Sequence, residues 1–378
     1  MKTIHFLIYK NINIDEVNMN PQLFKIKKSH IRDFHEKVKK TENVLDFTLG
    51  DSNDHVNDEI KEAAIQSLEN NETHYSESQG LYELRDMLRL KEMYYDVQEI
   101  CITSGATQGL FEVMMALLKK GDGLLIGIPA YPSYISLCTL FELDLQIFVF
   151  DDEFQISESS IRAVIQENTK AILINHPHNP SGSALDRKSI QTLHRLCKEY
   201  DLLLIWDATY FECSSYLSLY CLSLHEKIIQ IHSFSKSSLM CGFRIGYICV
   251  PQNKIDEIIK VHQLIQSCLP VFTQKSALEA LHHPSMNYDE QKTYIIQRLQ
   301  NMGVKVVKTQ GPYYVFFSIE DFHISSEEFA DRLLEEVHVA VLPGKYFYYE
   351  NHIRMSCCID LVKCKEGCDR LEAFVRRL

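Results

Sequence analysis

Residues 171–207 read AILINHPHNPSGSALDRKSIQTLHRLCKEYDLLLIWD. Two apolar runs, Ala171 to Asn175 and Leu202 to Trp206, bracket Lys188 to Tyr200, where apolar residues recur at helical spacing. Runs without polar alternation suit strands buried on both faces. Strand, helix and strand in succession predict two parallel strands joined by a crossover helix. The alternation continues outward. Gly123 to Ile128 and Leu145 to Phe150 precede this unit, Ile228 to His232 and Ile245 to Val250 follow it, and Gln108 to Leu118 is a further helix. The predicted fold class is α/β, a mostly parallel sheet sandwiched by helices.

The pattern changes after about residue 270. Gly303 to Lys308, Tyr313 to Ile319, Val339 to Leu342 and Ile353 to Cys357 read as short strands. Ser325 to Glu336 reads as a helix with acids in its first turn, and Glu366 to Leu378 as a closing helix. A large domain over 46–270 and a smaller α+β domain from 1–45 and 271–378 are therefore expected. A length of 378 residues suits two such units.

Composition narrows the function. Apolar residues are 46% and charged residues 24%, as in an ordinary globular protein. The net charge of −12 argues against a partner recognised through its phosphate backbone, so no nucleic acid is expected. Twelve cysteines, with no tight Cys-x-x-Cys pair, read as reduced thiols, and Cys357, Cys358, Cys364 and Cys368 do not have zinc-knuckle spacing. No metal is expected. No apolar run is long enough to span a membrane. Met1 to Tyr9 is too short in its apolar part for a signal segment and reads as an arm. A cytoplasmic location follows.

In open parallel sheets ligands bind beyond the C-terminal strand ends. That rule selects Pro129-Ala-Tyr131-Pro, His176-Pro-His178-Asn179-Pro, Asp207-Ala-Thr-Tyr210 and Ser233-Phe-Ser-Lys236. Ser104-Gly105-Ala106-Thr107 opens the Gln108 helix, and bare N–H groups at a helix start suit a phosphate. Ser233 and Arg244 would complete a phosphate clamp. Lys236, with Arg244 near, is expected to have a lowered pKa and to act as an amine nucleophile. Asp207 ends the run Leu-Leu-Leu-Ile-Trp, where a carboxylate is costly without a cationic partner such as a protonated pyridine nitrogen. His176 and His178 read as loop residues near this crevice, and His282-His283 as a helix end.

Taken together, these blocks resemble a known family. Ser233-Phe-Ser-Lys236, followed by Gly242-Phe-Arg244-Ile-Gly-Tyr247, resembles the lysine signature of class I/II aminotransferases, the fold-type I pyridoxal-phosphate enzymes. Tyr75-Ser-Glu-Ser-Gln-Gly80-Leu-Tyr-Glu-Leu-Arg85, Thr103-Ser-Gly-Ala-Thr-Gln, Pro129-Ala-Tyr131-Pro and Asn175-x-Pro-x-Asn179-Pro-Ser-Gly182 match in order. So do Asp207-x-x-Tyr210, Gly311-Pro-Tyr-Tyr-Val-Phe, Pro343-Gly-x-x-Phe347 and Arg354-Met-Ser. The resemblance covers roughly residues 30 to 378.

It implies that Lys236 holds pyridoxal 5′-phosphate covalently and moves the substrate proton. It gives Asp207 the ring nitrogen, Asn179 and Tyr210 the ring oxygen, and Tyr131 the ring face. Gly105, Ala106, Thr107, Ser233, Ser235 and Arg244 would surround the phosphate. Tyr75 would reach the phosphate of a neighbouring subunit, which implies a homodimer with shared sites. Arg354 would fork onto the substrate α-carboxylate, with Gly50, Tyr131 and Asn179 beside it. Two departures stand out. Asp207-Ala-Thr-Tyr210 lacks the glutamate of Asp-Glu-x-Tyr, and Gly50-Asp lacks the proline of Gly-x-Pro-Asp.

The implied reaction moves an amino group between an L-amino acid and a 2-oxo acid, with 2-oxoglutarate as acceptor. Ser29-His-Ile-Arg32-Asp-Phe34, Val261-His-Gln and Gln274-Lys-Ser-Ala resemble a bacterial subgroup acting on aromatic amino acids or N-acetyl-diaminopimelate, the latter in lysine biosynthesis. The aromatic run Tyr346 to Tyr349 is expected to line the substrate entrance. A C–S β-lyase of the same fold, cleaving cystathionine-type donors, needs the same lysine, aspartate and arginine and is the alternative.

Overall fold

The computed structural model describes residues 20–378 apart from positions 53, 214, 215 and 312. The proposed arm Met1 to Tyr9 lies outside the described residues. Seven strands form the main sheet: β2 (Ile100–Thr103), β3 (Gly123–Ile128), β4 (Asp144–Val149), β5 (Thr169–Asn175), β6 (Leu203–Asp207), β7 (Ile228–Ser233) and β8 (Gly246–Cys249). Their order across the sheet is β2-β8-β7-β6-β5-β3-β4. Only β8 runs against the rest. Its connection from β7 has only two short helical turns, Phe234–Ser237 and Cys241–Phe243, so the chain reverses where a full crossover helix would keep it parallel. Strand β2, which is only Ile-Cys-Ile-Thr, was not foreseen.

Helices cover both faces. Leu110, Val113 and Met114 of the helix Gly105–Leu117 pack on one face with Ile229 and Ile231. Ile190, Leu193 and Leu196 of the helix Arg187–Glu199 pack on the other with Leu204 and Trp206. That is why the strands are apolar on both sides.

The remaining strands are short. β1 (Leu45–Asp46) pairs in parallel with β10 (Val339–Ala340). β9 (Tyr314–Ser318), β11 (Leu342–Pro343) and β12 (His352–Ser356) form an antiparallel sheet in the order β11-β12-β9. The expected strand Val339 to Leu342 is thus two pieces that pair with different partners. Gly303 to Lys308 forms no ladder; Val306 alone bridges to Phe317. The closing helix spans Leu361–Val375, a turn earlier than expected. One apolar cluster joins Ile31, Phe34 and Val38 of the helix His30–Lys39 to Phe317, Phe329 and Phe374.

Sheet order sets the site. Asn175 lies beside Asp207, and Ser233 beside Gly246, which places the ends of β5, β6 and β7 side by side. Thr103 also pairs with Gly246, which brings the start of the Gly105 helix to the same edge.

Candidate active site

A cavity of about 710 Å³ opens beyond these strand ends. Lys236 lines it from the turn after β7. Its Nζ donates to Gly50 O and lies 3.9 Å from Cys241 Sγ, while the Tyr313 hydroxyl donates to Lys236 O. Burial works against the ammonium. The Tyr314 phenol, the Cys241 and Cys358 thiols and the Asp51 carboxylate work for it, and Lys236 lies above the ordinary lysine value. The expected lowering is therefore corrected. Arg244 does not press on the amine; its Nη1 donates to Cys241 O at 2.9 Å.

Asp207 is buried at the end of β6. Tyr134 Oη donates to its Oδ2 at 2.5 Å; Thr209 donates to Oδ1 from its N at 3.0 Å and its hydroxyl at 2.6 Å. Burial pushes the carboxyl above its ordinary range, although the Thr209 and Tyr134 hydrogen bonds and His232 oppose this. The carboxylate has good donors in place, and among the described residues no lysine or arginine forms an ion pair with it.

At the adjacent edge Ser104 precedes the Gly105–Leu117 helix, and its side chain caps none of the first N–H groups. Those groups have no intrahelical acceptor. Gly105 has φ +73°, and a Cβ there would lie 3.0 Å from Arg244 Nη2, so glycine lets the guanidinium sit over the helix start. Ala106, Thr107, Ser233, Ser235 and Arg244 all line the cavity here. Ser233 Oγ accepts from Ser235 N at 3.1 Å.

Opposite stands Arg354, buried on β12. Its guanidinium lies 4.1 Å from the Tyr314 ring centre and 4.8 Å from that of Phe347. Nη1 donates to Asn179 Oδ1 at 2.8 Å and Nη2 to Thr48 O. Arg354 Nε is buried with no hydrogen-bond partner among the described residues. Asn179 Nδ2 donates to Tyr210 Oη at 3.3 Å, and Tyr210 Oη lies 3.0 Å from Tyr314 Oη. Burial and the Tyr314 phenol keep the Tyr210 hydroxyl protonated far above its ordinary range. Gly50 packs so closely on Tyr314 that a Cβ would meet its hydroxyl at 2.4 Å.

The profile of the family "Aminotransferase class I and II" matches residues 42–371. The chain belongs to the class I and II aminotransferases. This aminotransferase is 32% identical to the probable N-acetyl-LL-diaminopimelate aminotransferase of Bacillus subtilis, over 94% of this chain and 95% of that one. Its structure matches the aspartate aminotransferase of Thermotoga maritima with a TM-score of 0.89 at 30% identity, over 95% and 100% of the two chains. The aromatic aminotransferase of Pyrococcus horikoshii matches with a TM-score of 0.84 at 28% identity, over 91% and 99%.

Members of this family are pyridoxal-phosphate-dependent transaminases, and the cleft suits that group. Asp207, raised by burial and held by neutral donors, suits a cationic ring nitrogen. The uncapped helix start beside Arg244 suits a phosphate. The unpartnered Arg354 Nε suits a carboxylate.

Every sequence-selected site residue except Gly105 and Tyr75 lines this cavity, and Gly105 lies against Arg244 beside it. Tyr75 is 90% exposed and does not line this cavity. The tyrosines of the 346–349 run do not line it either. Tyr346 stacks on His30 at 5.4 Å, and Tyr349 packs near Phe154 and His352; Phe347 alone turns inward, beneath Arg354. His176 and His178 are buried structural residues rather than mouth residues. His176 Nε2 pairs with Leu217 O and His178 Nε2 with Pro129 O, and burial holds both near pKa 4. Sequence reading gave no role to Tyr134 and Thr209 behind Asp207, to Cys241 beside Lys236 or to Leu49, while Ile31 and Arg32, singled out only as part of a subgroup-like segment, also line the cavity. Tyr134 lies one helical turn beyond Tyr131, and Thr209 bonds Asp207 from only two residues away, so both are local in sequence.

Proposed function

We propose that this aminotransferase holds pyridoxal 5′-phosphate on Lys236 and moves an amino group from an L-amino acid to a 2-oxo acid, with 2-oxoglutarate as acceptor. The observation that carries this reading is one cavity that gathers Lys236, Asp207, Arg244 and Arg354. When bound, the cofactor supplies a reactive aldehyde and a ring that takes up electrons from the substrate Cα.

The chain's own groups do the rest. Asp207, fixed by Tyr134 and Thr209, keeps a proton on the ring nitrogen. Asn179 and Tyr210 hydrogen-bond the ring oxygen, and Tyr131 covers the ring. Gly105, Ala106, Thr107, Ser233, Ser235 and Arg244 hold the phosphate. Arg354 forks onto the α-carboxylate, with Gly50 close by, which a lysine's point charge would not reproduce. The Lys236 amine would move the proton between the substrate Cα and the cofactor's aldehyde carbon; a positioned acid/base of this kind contributes roughly 10²–10⁴-fold.

The donor is an aromatic amino acid or an N-acetyl-diaminopimelate derivative. The names of relatives in Bacillus subtilis and Thermococcus litoralis, the latter an aromatic-amino-acid aminotransferase at 26% identity, support that choice, as do Ile31 and Leu49 at the rim. The enzyme is cytoplasmic and works as a homodimer in which Tyr75 reaches the partner's phosphate. Residues 46–270 form the large domain and the remainder the small one. A screen of amino donors against 2-oxoglutarate tests the reading. Glutamate should appear with aromatic or acylated diaminopimelate donors. Pyruvate and ammonia released without an acceptor would refute it.

A further inference from the structure

A chain of polar groups, half-buried at Ser104 and Gln108 and buried at Glu112 and His262, runs from the phosphate edge into the fold. Ser104 N donates to Gln108 Oε1 at 2.6 Å, and Gln108 Nε2 donates to Glu112 Oε1 at 2.7 Å. His262 Nδ1 donates to the same Glu112 oxygen at 2.8 Å. Residues 104, 108 and 112 are spaced at i, i+4 and i+8, so they share one face of the helix. His262 belongs to the helix Gln252–Ile265, which packs against it.

Glu112 and His262 are fully buried, and Glu112 Oε2 and His262 Nε2 have no hydrogen-bond partner among the described residues. A buried carboxylate–imidazole pair with two bare atoms is poorly explained by stability, since apolar replacements of such pairs are often neutral or stabilising. What the pair does accomplish is geometric. It fixes the Gln108 amide, so the carbonyl oxygen faces Ser104 N and the NH₂ faces Glu112. Ser104 immediately precedes Gly105, whose φ of +73° makes the turn into the helix.

We propose that Gln108, Glu112 and His262 are positioning residues for the phosphate turn. They hold the Ser104–Gly105 bend so that the N–H groups of Ala106 and Thr107 present a fixed cradle. This rests on the phosphate assignment made above. None of the three would touch the cofactor, and all three would act through the backbone.

The test is titration of cofactor-free protein with pyridoxal 5′-phosphate and, separately, with pyridoxal, followed by absorbance. Both aldehydes meet the same amine, so their ratio isolates the phosphate. Wild type should prefer the phosphorylated aldehyde strongly. Gln108→Leu should bind it roughly threefold to tenfold more weakly, the worth of about one hydrogen bond, and should bind pyridoxal unchanged. Glu112→Gln keeps the volume and should shift the ratio in the same direction, as a second variant should Gln108→Leu fold poorly. Both variants showing the wild-type ratio would overturn the inference while leaving the phosphate site intact. A wild type that does not distinguish the two aldehydes would instead remove the phosphate assignment itself.

Discussion

Replacing Arg354 by lysine separates charge from geometry. The guanidinium has five N–H donors, of which one on each Nη is engaged by Asn179 Oδ1 and Thr48 O. Nε and one further N–H on each Nη remain for a substrate carboxylate. Lysine keeps the charge and offers three donors from a single point. If it retains the Asn179 contact, it loses at least one charge-assisted hydrogen bond to substrate, worth about 1.5–3 kcal/mol. That corresponds to a fall of roughly 10- to 150-fold in kcat/KM. The assay compares an L-amino acid donor with the amine that lacks its α-carboxylate. Only the amino acid should suffer, because only it presents the group that Arg354 reads. Thermal unfolding controls for the lost stacking on Tyr314 and Phe347, about 1 kcal/mol. Equal slowing of amine and amino acid, in a variant that unfolds like wild type, would refute the reasoning.

Asp207→Asn keeps the volume and removes the anion, so cofactor should dialyse out more readily and turnover should fall by at least tenfold; absorbance after dialysis and a donor assay read both. His176 and His178 are held near pKa 4 by burial, below the ordinary 6.5, so the folded state resists protonation. Their contribution is complete above about pH 6.5 and is lost as pH falls toward 4, by about 2 kcal/mol each at pH 5. Urea unfolding at pH 7.5 and 5 should show that loss, and equal midpoints would count against it. Light scattering at micromolar concentration should give a dimer mass; a fully active monomer would contradict the shared site.

The sheet was legible because its strands are buried on both faces and therefore read as unbroken apolar runs. Strand direction was not, since hydrophobicity is the same for a strand read either way, and β8 reverses. Segments of two residues escape periodicity altogether, which is why Val339 to Leu342 looked like a single strand. The site was legible wherever a residue follows a strand end: Asp207, Asn179 and Ser233 sit where that rule puts them. Tyr346 to Tyr349 misled because the turn Gly344–Phe347 rotates successive side chains apart, so Phe347 faces Arg354 and Tyr346 faces His30. The Lys236 pKa depends on Tyr314 and Asp51, both remote in sequence, and no local pattern announces them.

The central claim is that Lys236 carries the cofactor. Borohydride reduction of the purified yellow holoenzyme, followed by peptide mass mapping, tests it most directly. The pyridoxyl mass should fall on Lys236, and Lys236→Ala should yield no such adduct. A reduced adduct on another lysine, with Lys236 unmodified, would contradict the account.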